Sequence, residues 1–390
     1  MAKKQKIKII IAIVCISFIQ GLQHSVAPVL NSIQNAFPDV ETSLVQMLVS
    51  GPGLLAMAIA LLSGILVTKI SKKKLLLIAA AVALVTGFLP FAKESFGLLF
   101  ACRIVYGISL GLTMSLNGVV VADFFEGEER VQVMGIQAAS VGAGMMIINA
   151  LAGVLGSTDY RMSYWINMIA LIALVLLIIC LPDTGRVQVD RENRISLNKD
   201  IFIMAGIGFF FFMFLITFNT NISMHLGGKY AGSSSFSGIL TAAFSLIQII
   251  AGIVLGAVTK LFKKQTMTAA LVSFAIGALL LVLFPANAAF LLIGALFCGI
   301  CQGIFMPTGF VTVTNAVNAQ SAAMATALFS CGVQLGGFLS PIATNSASRL
   351  FFGEETTGHV FLIAAIGMAV LAVLTGIWCA AGEKGKKENE

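Results

Sequence analysis

The stretch SGILVTKISKKKLLL, residues 63–77, places four lysines within six positions between two long apolar runs. The chain around it has 390 residues, of which 58% are hydrophobic and 11% are charged. A soluble globular protein carries about 25% charged residues. Lipid must therefore be the solvent for most of this chain, which excludes a soluble globular class. The lysine cluster then marks a turn at the membrane surface between two membrane-spanning segments.

Twelve apolar runs are long enough to cross a bilayer, for which a helix needs about 20 residues. They are continuous rather than alternating, which predicts helices and excludes the strands of a barrel. The predicted class is an all-α polytopic membrane protein. The first run has a basic start like a signal peptide, but its length and the eleven runs after it predict an uncleaved helix. The predicted spans, numbered 1 to 12, lie at about 8–31, 44–67, 75–92, 96–121, 132–155, 162–181, 201–224, 236–258, 266–285, 289–313, 323–343 and 358–381.

The distribution of basic residues predicts the orientation of the chain. If span 1 starts in the cytoplasm, 19 of the 24 lysines and arginines fall in cytoplasmic segments. Positive charge is retained on the cytoplasmic side of a membrane. We therefore expect a multi-pass protein of the cell membrane with both termini in the cytoplasm. The same distribution accounts for the net charge of +7 without a nucleic-acid partner.

An internal repeat divides the chain into halves. A shift of 192 residues brings Gly64 onto Gly256, and it brings Gly107 and Gly111 onto Gly299 and Gly303. A polar segment separates the first six spans from the last six. The predicted organisation is an N-terminal six-helix bundle at 1–181, a cytoplasmic central loop at 182–199, and a C-terminal six-helix bundle with a cytoplasmic tail at 200–390. Two such bundles are the layout of a secondary transporter.

Three motifs resemble those of the major facilitator superfamily, and the likeness covers nearly the whole chain. Residues 64–73 resemble the signature loop between spans 2 and 3, G-x-L-x-D-R-x-G-R-K, with Thr68 at the acidic position and Ser71 at the second glycine. Residues 103–111 resemble the fourth-span pattern R-x-x-x-G-x-x-x-G, and Glu129-Arg130 resembles the acidic-arginine pair that opens span 5. The resemblance implies two pseudo-symmetric six-helix bundles that open alternately to either side of the membrane.

The resemblance also implies a cytoplasmic charge network that latches one conformation of the transporter. Thr68 removes the charge that usually pairs within that network. The alternative is a basic anchor at the lipid surface. The predicted latch residues are Gly64, Thr68, Lys69, Lys72, Lys73, Asp123, Glu129 and Arg130.

Polar residues inside the spans are candidates for the solute site, because polar groups are costly in a membrane and usually functional. Those on span 4 share one face at 100° per residue. His24 and Arg103 lie at similar depths, roughly 10 Å below the outer surface. The resemblance places spans 1 and 4 beside the central cavity. The predicted cavity residues are Gln20, Gln23, His24, Arg103, Tyr106, Thr113, Asn117, Asn219, Asn221, Gln248 and Gln302.

Each candidate has a structural alternative. Arg103 could instead be a structural cation bonded to helix-end carbonyls, or it could extend toward the membrane surface. His24 could be a packing histidine. No acidic residue falls in the middle of a predicted span, so His24 is the candidate proton carrier. A buried cation without a buried anion favours an anionic or neutral solute.

The sequence therefore predicts a secondary transporter of a small organic solute, with a carboxylate on Arg103 as the preferred cargo and a proton as the coupling ion. The alternatives are an efflux pump for apolar or zwitterionic drugs, and a sensor or scaffold that transports nothing. We expect a monomer in the lipid bilayer that is not an enzyme and has no cofactor. The single pair Cys298 and Cys301 is too small a ligand set for zinc, and no ATP-binding P-loop motif occurs.

Overall fold

The computed structural model describes residues 3–185, 198–317 and 321–387, without the side chains of 3, 131, 322, 323 and 381–387. Within these ranges the chain forms helices and no strands. Twelve stretches of the described residues are long and apolar enough to cross a membrane. The all-α prediction with twelve spans is confirmed.

Several spans contain a break between two helices. Span 1 consists of Lys3–Gly21 and Leu30–Ala36, joined by the 3-10 turns Leu22–His24 and Ala27–Val29. A helix Leu255–Phe262 and a 3-10 turn Lys263–Gln265 link spans 8 and 9. The remaining spans are Thr42–Ser50 with Pro52–Lys69, then Lys72–Phe88, Phe96–Phe124, Gly127–Leu155, Met168–Cys180 after the turn Tyr160–Asn167, Lys199–Leu215 with Thr217–His225, Ser234–Ile253, Thr266–Leu283, Ala288–Asn315, Ala322–Phe352 and Thr357–Lys387.

The chain divides into two compact units. The first comprises Met1–Glu192 and Ser233–Ala242, and the second comprises Asn193–Gly232 and Ala243–Glu390. The predicted borders at residues 181 and 200 stay a prediction. Residues 186–197 of the predicted central loop lie outside the described residues.

Span 1 is the buried helix of the first unit. Ile9, Ile13, Ile16 and Ile19 have no exposed surface, and they recur at the three- and four-residue spacing of one helix face. The helix packs against spans 4, 5 and 6. This packing holds the break after Gly21 inside the unit, where its carbonyl groups need partners other than water.

The two units use the same glycine contacts, at positions 192 residues apart. A Cβ on Gly107 would lie less than 3.0 Å from the carbonyl oxygen of Pro52, and a Cβ on Gly299 would lie less than 3.0 Å from that of Phe244. Small residues of this kind allow membrane helices to pack closely. Span 4 therefore packs on span 2 as span 10 packs on span 8. One turn further, Gly111 meets Ala56 and Gly303 meets Gln248 in the same register.

Candidate functional site

Arg103 lies at the breaks in spans 1 and 2 and is only 8% exposed. Its Nε donates a hydrogen bond to the carbonyl oxygen of Leu48 at 2.8 Å, and Nη1 donates to that of Leu22 at 3.3 Å. Nη2 donates to the carbonyl oxygen of Gln23. Three of the five N–H groups of the guanidinium are thus bonded to backbone carbonyls. Spans 1 and 4 meet here through the backbone carbonyls of Leu22 and Gln23, and a meeting of Arg103 with the His24 side chain in a cavity stays a prediction.

These carbonyls need a donor because the helices are interrupted. Proline has no N–H, so Pro52 cannot bond the carbonyl of Leu48 four residues before it. In span 1 the regular helix ends at Gly21 and resumes at Leu30. Arg103 supplies donors at both breaks. These are the contacts expected of a structural cation, and the carboxylate-binding role of Arg103 stays a prediction.

Tyr106, one turn along span 4, supports the same break. Its hydroxyl donates to the carbonyl oxygen of Ile19 at 2.5 Å, and its ring centroid lies 5.3 Å from Cζ of Arg103. A cation over an aromatic face is attracted by the electrons of the ring. Tyr106 therefore both bonds span 1 and helps hold the guanidinium in place.

The other predicted residues of span 4 form hydrogen bonds inside the bundle. Asn117 donates through Nδ2 to Oγ of Ser17 on span 1 at 2.9 Å. Thr113 donates to the carbonyl oxygen of Ser109 on its own helix at 2.8 Å. Both side chains are fully buried. The shared face predicted for span 4 thus contacts span 1 at Asn117.

Two buried side chains on neighbouring spans have ring or amide atoms without a partner. Nδ1 of His24, and both Oδ1 and Nδ2 of Asn149, form no hydrogen bond with any described group. His24 is 5% exposed and Asn149 is fully buried. A Cβ on Gly21 would lie 3.0 Å from the nitrogen of Met145. His24 and Asn149 follow those two residues by three and four positions, so they lie at similar heights on spans 1 and 5.

Asn149 was not among the predicted site residues. Its signal in the sequence is a carboxamide within the apolar run of span 5, which also carries Gln132 and Gln137 nearer its start, and polar groups inside a membrane usually have a function. A buried amide that makes no hydrogen bond costs about 1–3 kcal/mol of stability.

The second unit carries a comparable pair of amides. Oδ1 of Asn219, which is 2% exposed, and Oε1 of the half-buried Gln248 have no partner among the described groups. Phe218, which precedes Asn219, stacks on Phe244, one helical turn before Gln248, with ring centroids 4.8 Å apart. The predicted residue Asn221 donates to the carbonyl oxygen of Thr217 at 3.1 Å. The predicted residues Gln20 and Gln302 are half-buried.

His225 on span 7 is a buried histidine outside the predicted set. Its Nε2 lies 3.0 Å from the carbonyl oxygen of Leu281, and Nδ1 lies 2.9 Å from Oγ1 of Thr357. Because a carbonyl only accepts, Nε2 carries the hydrogen in this arrangement. His225 thereby joins spans 7, 9 and 12 of the second unit.

Among the predicted latch residues, Lys72 and Asp123 form an ion pair. The ammonium nitrogen of Lys72 lies 2.7 and 2.5 Å from the two carboxylate oxygens, and Lys72 is 8% exposed. Glu129 pairs with Lys6 near the N-terminus at 2.7 Å. Both pairs lie within the first unit. The Lys72–Asp123 pair is the more buried of the two, and salt screens a buried pair less than a surface pair.

The two departures from the family motif have their own contacts. Thr68 donates to the carbonyl oxygen of Ile65 on its own helix at 2.7 Å. Ser71 donates to the carboxylate of Asp183, after span 6, at 3.0 Å. The backbone N–H of Gly185 also bonds Asp183, and with Ser71 and two nearby lysines it holds the pKa of that carboxyl below its usual value.

The remaining latch residues make fewer contacts. Lys73 donates to the carbonyl oxygen of Ile178 at 2.9 Å. A Cβ on Gly64 would meet nothing within 4 Å, and Lys69 and Arg130 are exposed.

The described acidic side chains all lie at helix ends or in connections between helices. They are Asp39, Glu41, Glu94, Asp123, Glu126, Glu128, Glu129, Asp159, Asp183, Asp200, Glu354 and Glu355. Over the same ranges no group of three or more His, Cys, Asp or Glu residues could hold a metal ion. The described interior thus offers a transported solute neutral hydrogen-bonding groups and one guanidinium.

The profile of the Major Facilitator Superfamily matches residues 9–202 and again residues 201–390, so that each half of the chain fits it. The chain belongs to this family of transporters. Its membership agrees with the twelve spans and with the glycine contacts shared by the two units.

Curated relatives of this transporter are similar over part of their length. The quinolone resistance protein NorA of Staphylococcus aureus is 22% identical over 191 residues, which are 47% of this chain and 49% of NorA. The chain thus matches about half the length of that relative. The transporter paaT of Penicillium rubens is 29% identical over 113 residues, or 27% of this chain and 20% of paaT.

Solved transporter structures share the fold over nearly the whole chain. The nucleoside transporter NupG has a TM-score of 0.72 at 15% identity and covers 95% of this chain and 98% of its own. The POT family transporter PepTSo has a TM-score of 0.80 at 8% identity, with 98% and 99% covered. At these identities the likeness shows the fold alone.

Proposed function

We propose that this transporter moves uncharged or zwitterionic organic compounds and that it exports them from the cell. The supporting observation is the chemistry of the buried polar groups. Described carboxylates lie at helix ends and in connections, whereas buried amide atoms without partners occur in both units, at Asn149 and Asn219. An amide can donate to and accept from a neutral solute, but it does not neutralise a cation.

The similarity to NorA supports the exported class. NorA matches this chain over 191 residues and is a quinolone resistance protein. We therefore prefer drug export to the transport of a carboxylate, which the sequence analysis favoured.

An organic anion is the second candidate. Two N–H groups of the Arg103 guanidinium remain outside its three carbonyl bonds and could bind one carboxylate. This reading requires the solute to reach a side chain that is 8% exposed and already holds two helix breaks.

Proton coupling through His24 belongs to the same proposal. The imidazole is buried and its Nδ1 has no partner among the described groups, so that nitrogen could take up a proton. We also propose that the protein is a monomer of the cell membrane with cytoplasmic termini, and that the Lys72–Asp123 pair belongs to a latch on the cytoplasmic side.

Flux measurements on proteoliposomes test the proposal. The purified chain should transport uncharged or zwitterionic aromatic compounds against a gradient when a proton gradient is imposed, and it should leave permanent lipophilic cations untransported. Preference for cations would contradict the proposal, and carboxylate transport that depends on Arg103 would favour the second candidate. An absence of flux across the whole panel would favour the sensor or scaffold.

A further inference from the structure

A small cavity lies against Arg103 inside the first unit. Its wall includes Ser25, Cys102, Arg103, Tyr106 and Tyr164. The centre of a water molecule can occupy a volume of about 20 Å³ within this cavity. That is room for one or two water molecules or one monatomic anion, and a drug-sized solute needs several hundred Å³.

The charge next to this cavity lacks a carboxylate partner. Ion pairs among the described residues include those of Lys6, Lys72, Arg161, Arg349 and His359, and none of these pairs includes Arg103. The three carbonyl groups bonded to Arg103 supply dipoles, which offset part of the cost of burying a full charge. A net positive charge is left beside the cavity.

Two hydroxyl groups of the cavity wall add hydrogen-bond donors. Ser25 and Tyr164 are each 5% exposed, and neither hydroxyl bonds another described group. Each hydroxyl can donate one hydrogen bond. Other polar groups of the wall are already engaged: Thr86 donates to the carbonyl oxygen of Val82, and Asn167 donates to that of Gly87.

We propose that this cavity is a binding site for a small inorganic anion, with chloride as the ion that fits its size. The anion accepts hydrogen bonds from Ser25 and Tyr164 and lies beside the guanidinium of Arg103. An anion is favoured over water because two hydroxyl donors line the same small cavity as an unneutralised positive charge. The bound ion stabilises the breaks in spans 1 and 2 through Arg103, and this role is separate from solute transport.

Thermal unfolding of the full chain in detergent tests the site. Chloride is titrated at constant ionic strength against gluconate, which is too large for the cavity. We expect a saturable rise in the unfolding midpoint with chloride, because a ligand bound only to the native state stabilises it. Tyr164→Phe and Ser25→Ala should each weaken the apparent chloride affinity about tenfold, since each removes one hydrogen bond to the ion.

Matched controls separate the cavity from general effects. Tyr160→Phe removes a hydroxyl near Glu94, and Ser157→Ala removes an exposed hydroxyl, so both should keep the wild-type chloride affinity. Equal midpoints in chloride and gluconate would overturn the proposal, as would unchanged affinity in Tyr164→Phe and Ser25→Ala. If Tyr164→Phe does not fold, Ser25→Ala against Ser157→Ala decides.

Discussion

Arg103 shows how one side chain can hold several interrupted helices together. Its planar guanidinium points N–H groups in fixed directions, which match carbonyl oxygens of Leu22, Gln23 and Leu48. The ammonium of a lysine has the same charge but cannot reach all three. The geometry of the group, more than its charge, therefore explains the arginine at this position.

Arg103→Lys should lower the free energy of unfolding by about 2 kcal/mol, because at least one charge-assisted hydrogen bond is lost. Thermal or denaturant unfolding of the purified protein measures this change. Arg161→Lys is the matched control: Arg161 forms a more exposed pair with Glu94, and exposed pairs contribute little to stability, so this variant should unfold like the wild type. Unchanged stability of Arg103→Lys together with a loss of solute binding would instead identify Arg103 as a solute anchor.

Asn149 allows stability and function to be separated. Asn149→Leu removes a buried amide without partners and keeps the volume, so we expect a gain of about 1 kcal/mol in stability and reduced solute flux. Asn117→Leu serves as the comparison, since it removes the amide bonded to Ser17 and should lower stability. A less stable Asn149→Leu with unaltered flux would contradict the proposed role of this amide.

At the scale of helices, the close contact of spans 2 and 4 in the first unit has an equivalent in the contact of spans 8 and 10 in the second unit. Gly107→Ala and Gly299→Ala should destabilise the protein by similar amounts, about 1–3 kcal/mol each, because the added methyl group meets a backbone carbonyl. Gly118→Ala on span 4 is the control, since a Cβ there would meet nothing within 4 Å. Unfolding midpoints of the three variants measure the effect. Equal behaviour of Gly107→Ala and Gly118→Ala would argue against close packing of spans 2 and 4.

The connection after span 6 should contribute to stability in a pH-dependent way. The pKa of Asp183 is lowered in the folded protein, so its contribution is fully present above the unfolded pKa of about 4. That contribution is lost as the pH falls through the lower folded pKa. Unfolding midpoints between pH 3 and pH 6 should therefore converge for the wild type and Asp183→Asn at the acid end. A constant difference across this range would contradict the assignment.

The sequence predicts the helices better than it predicts which groups on neighbouring helices they contact. Continuous apolar runs identified twelve spans, because only length and polarity decide whether a helix can cross lipid. The 192-residue shift identified Gly107 and Gly299 as equivalent, and their contacts agree. The face of span 4 that carries Arg103 was also evident from its periodicity. Which groups that face would meet depended on the breaks at Gly21 and Pro52.

At the scale of the whole molecule, the sequence established the family but not the cargo. The family motifs can be located because the apolar runs show where each span begins and ends. The solute site depends instead on a few side chains in each unit. Asn149 was missed because span 5 contains three carboxamide side chains, and their order along the chain does not show which one is buried without a partner. The carboxylate role of Arg103 stays a prediction, and its bonds to backbone carbonyls match the structural alternative that the sequence left open.

The central claim is that neutral amides, rather than charged groups, select the transported compound. The most direct test measures proteoliposome flux for one aromatic scaffold prepared in uncharged, zwitterionic, anionic and permanently cationic forms. The account predicts transport of the uncharged and zwitterionic forms, and at least tenfold slower flux of the cation, which finds no described carboxylate in the interior. Flux of the cation equal to or faster than that of the uncharged form would contradict the account.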